Sequence, residues 1–135
     1  RIERFFTERV ARLESAGIAR ERLILDPGMG LFLSTRPDAS LNVLTHLDRL
    51  KRAFGLPVMV SVSRKSFLGA ITGRAAPGER GPATLAAELY AAAHGADYIR
   101  THDPAALRDG LAVMAALAAE AQNTSTKQDQ ANLEQ

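Results

Sequence analysis

The sequence predicts an α/β fold on parallel strands, and three observations predict it. Short apolar runs alternate with longer segments whose apolar residues recur at helical spacing. The connection between one run and the next is always long enough to hold a helix, as a parallel crossover requires and a hairpin does not. Each run also ends, on its C-terminal side, in polar or charged residues, at the edge where α/β folds gather their ligands.

The elements follow in order. Ile2, Phe5, Phe6, Val10 and Leu13 recur between charged residues, which predicts an amphipathic helix closed by Gly17, with both phenylalanines in the core. Leu23-Ile24-Leu25 reads as a buried strand meeting the turn Asp26-Pro27-Gly28. Ser40 is placed as the cap of a second helix through Leu41, Leu44, Leu47 and Leu50, ending at Gly55. Pro57 to Val62 is a second strand, with proline at its first residue, where a missing donor is tolerated. A Gly, Pro and Arg-rich loop from Ser63 to Gly81 holds one helical turn at Phe67 to Ile71. An alanine-rich helix from Pro82 to His94 leads to a third strand, Ala96 to Arg100. Asp103 followed by Pro104 is a cap with proline at the first helical position, opening a last helix through Leu107, Leu111, Met114 and Leu117. After Gln122 the chain turns polar and is expected to fray, so residues 1–121 are grouped as a partial domain and 122–135 as a polar, disordered tail.

Composition narrows the function classes. The 135 residues are 46% apolar, enough for a core. The formal charge is only +2 and the basic residues are scattered, so a nucleic-acid surface is not expected. No run resembles a signal peptide or a membrane span, and no membrane partner is expected. Cysteine is absent, which excludes disulfides and thiolate metal sites and fits a cytoplasmic protein. Without a secretory signal, the sequon Asn123-Thr124-Ser125 reads as coincidence.

The order αβαβαβα fits either an open sheet or the last part of an eight-stranded barrel. Arg1 opens directly into a helical pattern with no preceding cap, which reads as a truncated start and favours the barrel.

The three strand ends carry Asp26, then Ser63-Arg64-Lys65-Ser66, then Arg100-Thr101-His102. A carboxylate, a lysine, two arginines and a histidine on one rim suit an anionic ligand that also bears a hydrogen-bonding ring. Arginine offers a planar fork to phosphate oxygens and lysine a mobile point charge, while a carboxylate accepts paired donors from an amino-substituted heterocycle. Singly, each has a plainer reading: Asp26 as a turn residue, Arg64 and Lys65 as solvated loop charges, His102 as a helix cap. Their recurrence at three successive strand ends is what favours a site. His46 and His94 lie in helical patterns without partners at metal spacing and read as surface or core-edge residues.

Leu25-Asp26-Pro27-Gly28-Met29-Gly30, Ser61 through Gly69, and Ile99-Arg100-Thr101-His102-Asp103 resemble, in order and spacing, the last three signature segments of dihydropteroate synthases. The resemblance covers Ile2 to Ala121 and implies strands six to eight, with their helices, of a TIM (β/α)8 barrel of the pterin-binding type. It implies condensation of 6-hydroxymethyl-7,8-dihydropterin diphosphate with para-aminobenzoate, magnesium bound by a ligand outside this part of the fold, and a homodimer. By the same resemblance Asp26 grips the pterin's amino-pyrimidine edge, and Lys65 bonds the pterin ring and borders the aminobenzoate site. Ser63 lies near the aminobenzoate carboxylate, and Arg100 and His102 hold the departing phosphates; Arg64, next to Lys65, is also expected to bind substrate. Lys65, Arg100 and His102 are the expected catalytic residues. After Gly30 the text departs from the common pattern, with Leu31-Phe32-Leu33-Ser34, and together with residues 84–89 and 108–113 it is similar to the sulfonamide-insensitive branch. Two other readings stand beside this one: a pterin-binding methyltransferase module, and an inactive truncated fragment.

Overall fold

The computed structural model describes residues 2–30 and 36–133, and side chains up to Thr124. Six helices and two strands are named here: α1 (Ile2–Ser15), α2 (Pro37–Leu44), α3 (Leu47–Phe54), β1 (Met59–Val60), α4 (Ser66–Thr72), α5 (Gly81–Ala93), β2 (Tyr98–Ile99) and α6 (Pro104–Leu133). Residues up to His102 form one compact unit and those from Asp103 another.

In the first unit β1 pairs in parallel with β2, Met59 opposite Tyr98 and Val60 opposite Ile99. On the other side of β1, Leu25 makes a parallel bridge with Val58, its N–H donating to Pro57 O at 2.9 Å and its carbonyl accepting from Met59 at 2.8 Å. The first expected strand is thus reduced to one bridging residue, and the other two are shorter than the apolar runs. The parallel order and the three ends on one edge are as the sequence predicts.

Alternation along the middle segment separates two faces. Val58, Val60 and Val62 are fully buried, and with Leu25, Leu44, Leu47, Leu50, Phe67 and Leu68 they form the core. Each such valine stabilises the fold by about 1.5–3 kcal/mol relative to an exposed one. Ser61 and Ser63 continue the opposite face, toward β2's polar end.

Helix α1 buries Phe6 and Val10 and closes at Gly17, where Ile18 N–H returns to Leu13 O and Gly17 N–H to Glu14 O. Phe5 departs from expectation. It is 49% exposed against 7% for Phe6, because adjacent helical residues point about 100° apart and only one can face the core. Phe5 instead packs edge-on against Phe6 and takes the Arg9 guanidinium over its ring.

The second expected helix is two. α2 starts at Pro37, not at Ser40, and Thr45 and His46 separate it from α3. Ser40 lies inside α2 and is fully buried, its hydroxyl accepting the Gly30 N–H at 2.9 Å. His46 Nδ1 bonds Asn42 O and His94 Nδ1 bonds Tyr90 O, so both histidines serve helix ends.

In the second unit Asp103 caps α6 through its side chain to Ala106 N–H, with Pro104 at the first helical position. The helix runs to Leu133. No glycine or proline interrupts residues 111–135, and alanine and glutamine are strong helix formers.

Candidate active site

The turn after Leu25 sets the first side chain. Asp26 Oδ1 accepts the Gly28 N–H at 2.9 Å, so the carboxylate builds its own turn with one oxygen. Gly28 and Gly30 take left-handed backbone, φ 71° and 70°. A side chain at Gly30 would lie 3.4 Å from Ser66 Oγ and 3.5 Å from Lys65 Cβ, which shows how closely this turn approaches the loop after β1.

Asp26, Gly28, Met29, Ser61, Lys65 and Arg100 line one open cavity of about 260 Å3. The structure therefore brings together Asp26, Lys65 and Arg100 from three separate strand ends. Arg100 is aimed by Ser61, whose Oγ accepts from Nε at 3.2 Å and from Nη2 at 3.1 Å. Ser63 and His102 form a second pair beside it. Ser63 Oγ lies 2.8 Å from His102 Nδ1 and accepts the His102 backbone N–H at 3.2 Å.

Both pairs follow from the register. Met59 opposite Tyr98 and Val60 opposite Ile99, carried forward, puts Ser61 opposite Arg100 and Ser63 opposite His102. Arg100 and His102 each meet a serine because the offset is constant, while Thr101 between them falls opposite Val62.

Ser63 is 5% exposed, so its hydroxyl proton needs an acceptor. Donation to Nδ1 supplies one while the oxygen accepts the backbone N–H. With the hydroxyl donating to Nδ1, Nε2 is the ring position left to donate, which suits an anion.

Arg64 is different. Its side chain is exposed and outside the cavity lining, and its φ is 58°, the one positive value for a non-glycine among the described residues. The Leu31-Phe32-Leu33-Ser34 departure lies outside the described residues.

Ser61 as the partner of Arg100 and Ser40 as the partner of Gly30 were not expected from the sequence. The alternation that singles out Ser63 also selects Ser61, two residues earlier, so a signal for Ser61 existed. None existed for Ser40, which acts through a bond formed only on folding.

No group of three or more His, Asp or Glu among the described residues could hold a metal ion. Among the described residues there is thus no all-protein cage for magnesium, an ion that one or two carboxylates with substrate phosphates can also hold. No helix among them is long and apolar enough to cross a membrane.

A family model described as pterin binding enzyme matches residues 1–102. The chain belongs to the pterin-binding enzyme family. Among curated members, a dihydropteroate synthase type-2 of Escherichia coli is 64% identical over 116 residues, which are 86% of this chain and 42% of that protein. A type-1 synthase of Escherichia coli is 56% identical over 117 residues, again 42% of its length. A dihydropteroate synthase of Xanthomonas albilineans, solved in complex with 7,8-dihydropteroate, superposes with a TM-score of 0.81 at 42% identity, over 87% of this chain and 44% of that one. The same enzyme has been solved with 4-aminobenzoic acid. The chain thus spans less than half the length of these three relatives.

Proposed function

We propose that a protein carrying this chain is a dihydropteroate synthase. It joins 6-hydroxymethyl-7,8-dihydropterin diphosphate to para-aminobenzoate, giving 7,8-dihydropteroate and pyrophosphate. The observation that carries this reading is the convergence of Asp26, Lys65 and Arg100 on one cavity, with the Ser63–His102 pair at the same edge.

The reaction breaks the bond between the pterin methylene carbon and the diphosphate oxygen, and the electron pair leaves with pyrophosphate. The lone pair of the aminobenzoate amine forms the new carbon–nitrogen bond, and the amine loses a proton. Positive charge spreads over the pterin while negative charge grows on the leaving group, so fixed donors at the leaving group lower the barrier. No nucleophile from the protein is required.

In this reading Asp26 accepts the paired donors of the amino-pyrimidine, using the oxygen not committed to Gly28. Lys65 bonds the pterin ring and borders the aminobenzoate site, with Arg64 beside it. Arg100 and the Nε2–H of His102 hold the departing phosphates. Ser63, engaged with His102, acts through it. Magnesium is held by groups other than those described, and the active form is a homodimer. Residues 1–121 form one part, strands six to eight, of a (β/α)8 barrel. The similarity of residues 84–89 and 108–113 to the sulfonamide-insensitive branch supports insensitivity to sulfonamides, which an inhibition curve tests directly.

The deciding measurement is pyrophosphate release by the naturally expressed protein, with magnesium and both substrates, against Lys65→Ala. Release that needs both substrates and falls at least about a hundredfold in the variant is expected, the scale of losing a charged transition-state contact. Binding of methyltetrahydrofolate without binding of pterin diphosphate would instead favour methyl transfer.

A further inference from the structure

We propose that Arg80 and Thr84 form a two-point clamp that holds the Arg64 backbone in its left-handed conformation and so positions Lys65 in the cavity. For its catalytic consequence this rests on the synthase reading, although the clamp itself does not.

Arg64 is where the chain turns from the buried end of β1's segment toward α4. Left-handed backbone crowds the side chain of any residue but glycine and lowers its population by about five- to thirtyfold. Such a conformation persists only where its surroundings fix it.

Both backbone groups of Arg64 are fixed from one place. Its N–H donates to Thr84 Oγ1 at 2.9 Å, and its carbonyl accepts from Arg80 Nη1 at 2.8 Å. Arg80 immediately precedes α5 and Thr84 lies in its first turn, so both groups come from the start of one helix. Thr84 is buried and cannot swing away. Arg80 is anchored in turn by Nε to Arg74 O at 3.0 Å and by Nη2 to Ala75 O. Its fork thus ties both ends of the α4 loop together. The residue after Arg64 is Lys65, whose stem lies against Gly30 and whose side chain lines the cavity. A change of φ at Arg64 would swing the following peptide and carry Lys65 with it.

The test uses Thr84→Val, which keeps shape but removes the acceptor, Thr84→Ser, which restores it, and the pair Arg64→Gly/Thr84→Val, in which glycine adopts the left-handed state unaided. One readout needs no substrate: the rate of Lys65 acylation by acetic anhydride, read by mass spectrometry, with the ion-paired Lys51 as internal reference. Thr84→Val is expected to speed Lys65 labelling at least about threefold relative to Lys51, the size of one lost hydrogen bond. Thr84→Ser should restore the native rate. The second readout is the affinity for pterin diphosphate, expected to weaken about three- to tenfold in Thr84→Val. That loss should shrink at least about twofold when Thr84→Val is made in an Arg64→Gly background and compared with Arg64→Gly alone. Unchanged labelling in Thr84→Val, or an equal loss in both backgrounds, would overturn the clamp. If the native protein binds no pterin diphosphate, the synthase reading fails, while the labelling still decides for or against the clamp.

Discussion

Ser63 sits directly opposite His102, its hydroxyl 2.8 Å from the ring Nδ1 and 3.2 Å from the backbone nitrogen. One small side chain thereby fixes both the backbone and the ring of a residue two positions beyond Arg100. The ring is left with Nε2 as its uncommitted nitrogen.

Ser63→Ala removes the acceptor for the His102 backbone N–H and the partner that orients the ring. Turnover is expected to fall about three- to tenfold, the range of one hydrogen bond between neutral groups. Ser63→Thr, which keeps the hydroxyl, should recover most of it. The measurement is kcat for pyrophosphate release, and a Ser63→Ala enzyme with native kcat would remove His102 orientation from the account.

The strand-end edge was legible in the sequence because its signals are local. Apolar runs ending at Leu25, Val62 and Ile99, each followed by polar residues, need no tertiary information, and the Asp103-Pro104 start of α6 is a matter of adjacent residues. What was illegible depends on contacts between distant positions. Ser40 reads as a helix cap by its type, yet its partner is Gly30, ten residues back. Phe5 and Phe6 are equivalent in composition, and only the direction of the helix face separates them. The left-handed Arg64 has no sequence signature, because its bonds to Arg80 and Thr84 span sixteen and twenty residues.

Ser40→Ala tests the Gly30 contact. The bond is buried, so the variant leaves the Gly30 N–H without its acceptor, at a cost of about 1–3 kcal/mol. Urea unfolding should show the midpoint falling with an unchanged slope. A loss below about 0.5 kcal/mol, the scale of an ordinary surface change, would mean that Gly30 finds another acceptor.

Gly69→Ala sets two effects against each other. Alanine favours a helix by about 1 kcal/mol over glycine. The added carbon, however, would lie 2.5 Å from Arg74 O and 2.6 Å from Arg80 Nε. The arginine tip could shift, but the backbone carbonyl could do so only by moving the loop, and overpacking of this kind costs about 1–3 kcal/mol. The overlap wins, and a net destabilisation is expected in the same urea experiment. An alanine variant more stable than the native protein would show that the α4 loop yields freely.

Asp97 gives the acid limb of stability a specific origin. Its Oδ1 accepts from Lys51 Nζ at 2.6 Å and its Oδ2 from the buried Val58 N–H at 2.9 Å. The lysine first, and then the backbone donor, lower its pKa below the ordinary carboxylate value. A group whose pKa is depressed by folding stabilises the native state above its unfolded pKa, near 4, and that contribution is lost as pH falls through the folded value. Asp97→Asn should therefore be less stable than the native protein at neutral pH, by roughly 0.5–1 kcal/mol for a partly exposed pair. The gap should close as pH falls well below about 4. Asp48 is lowered in the same sense by the Arg49 N–H and by Arg52, so the native curve alone would mix the two groups, and the difference between native and Asp97→Asn midpoints isolates Asp97. A gap that stayed constant from neutral to acid pH would place the stabilisation in a bond that asparagine cannot replace rather than in the charge.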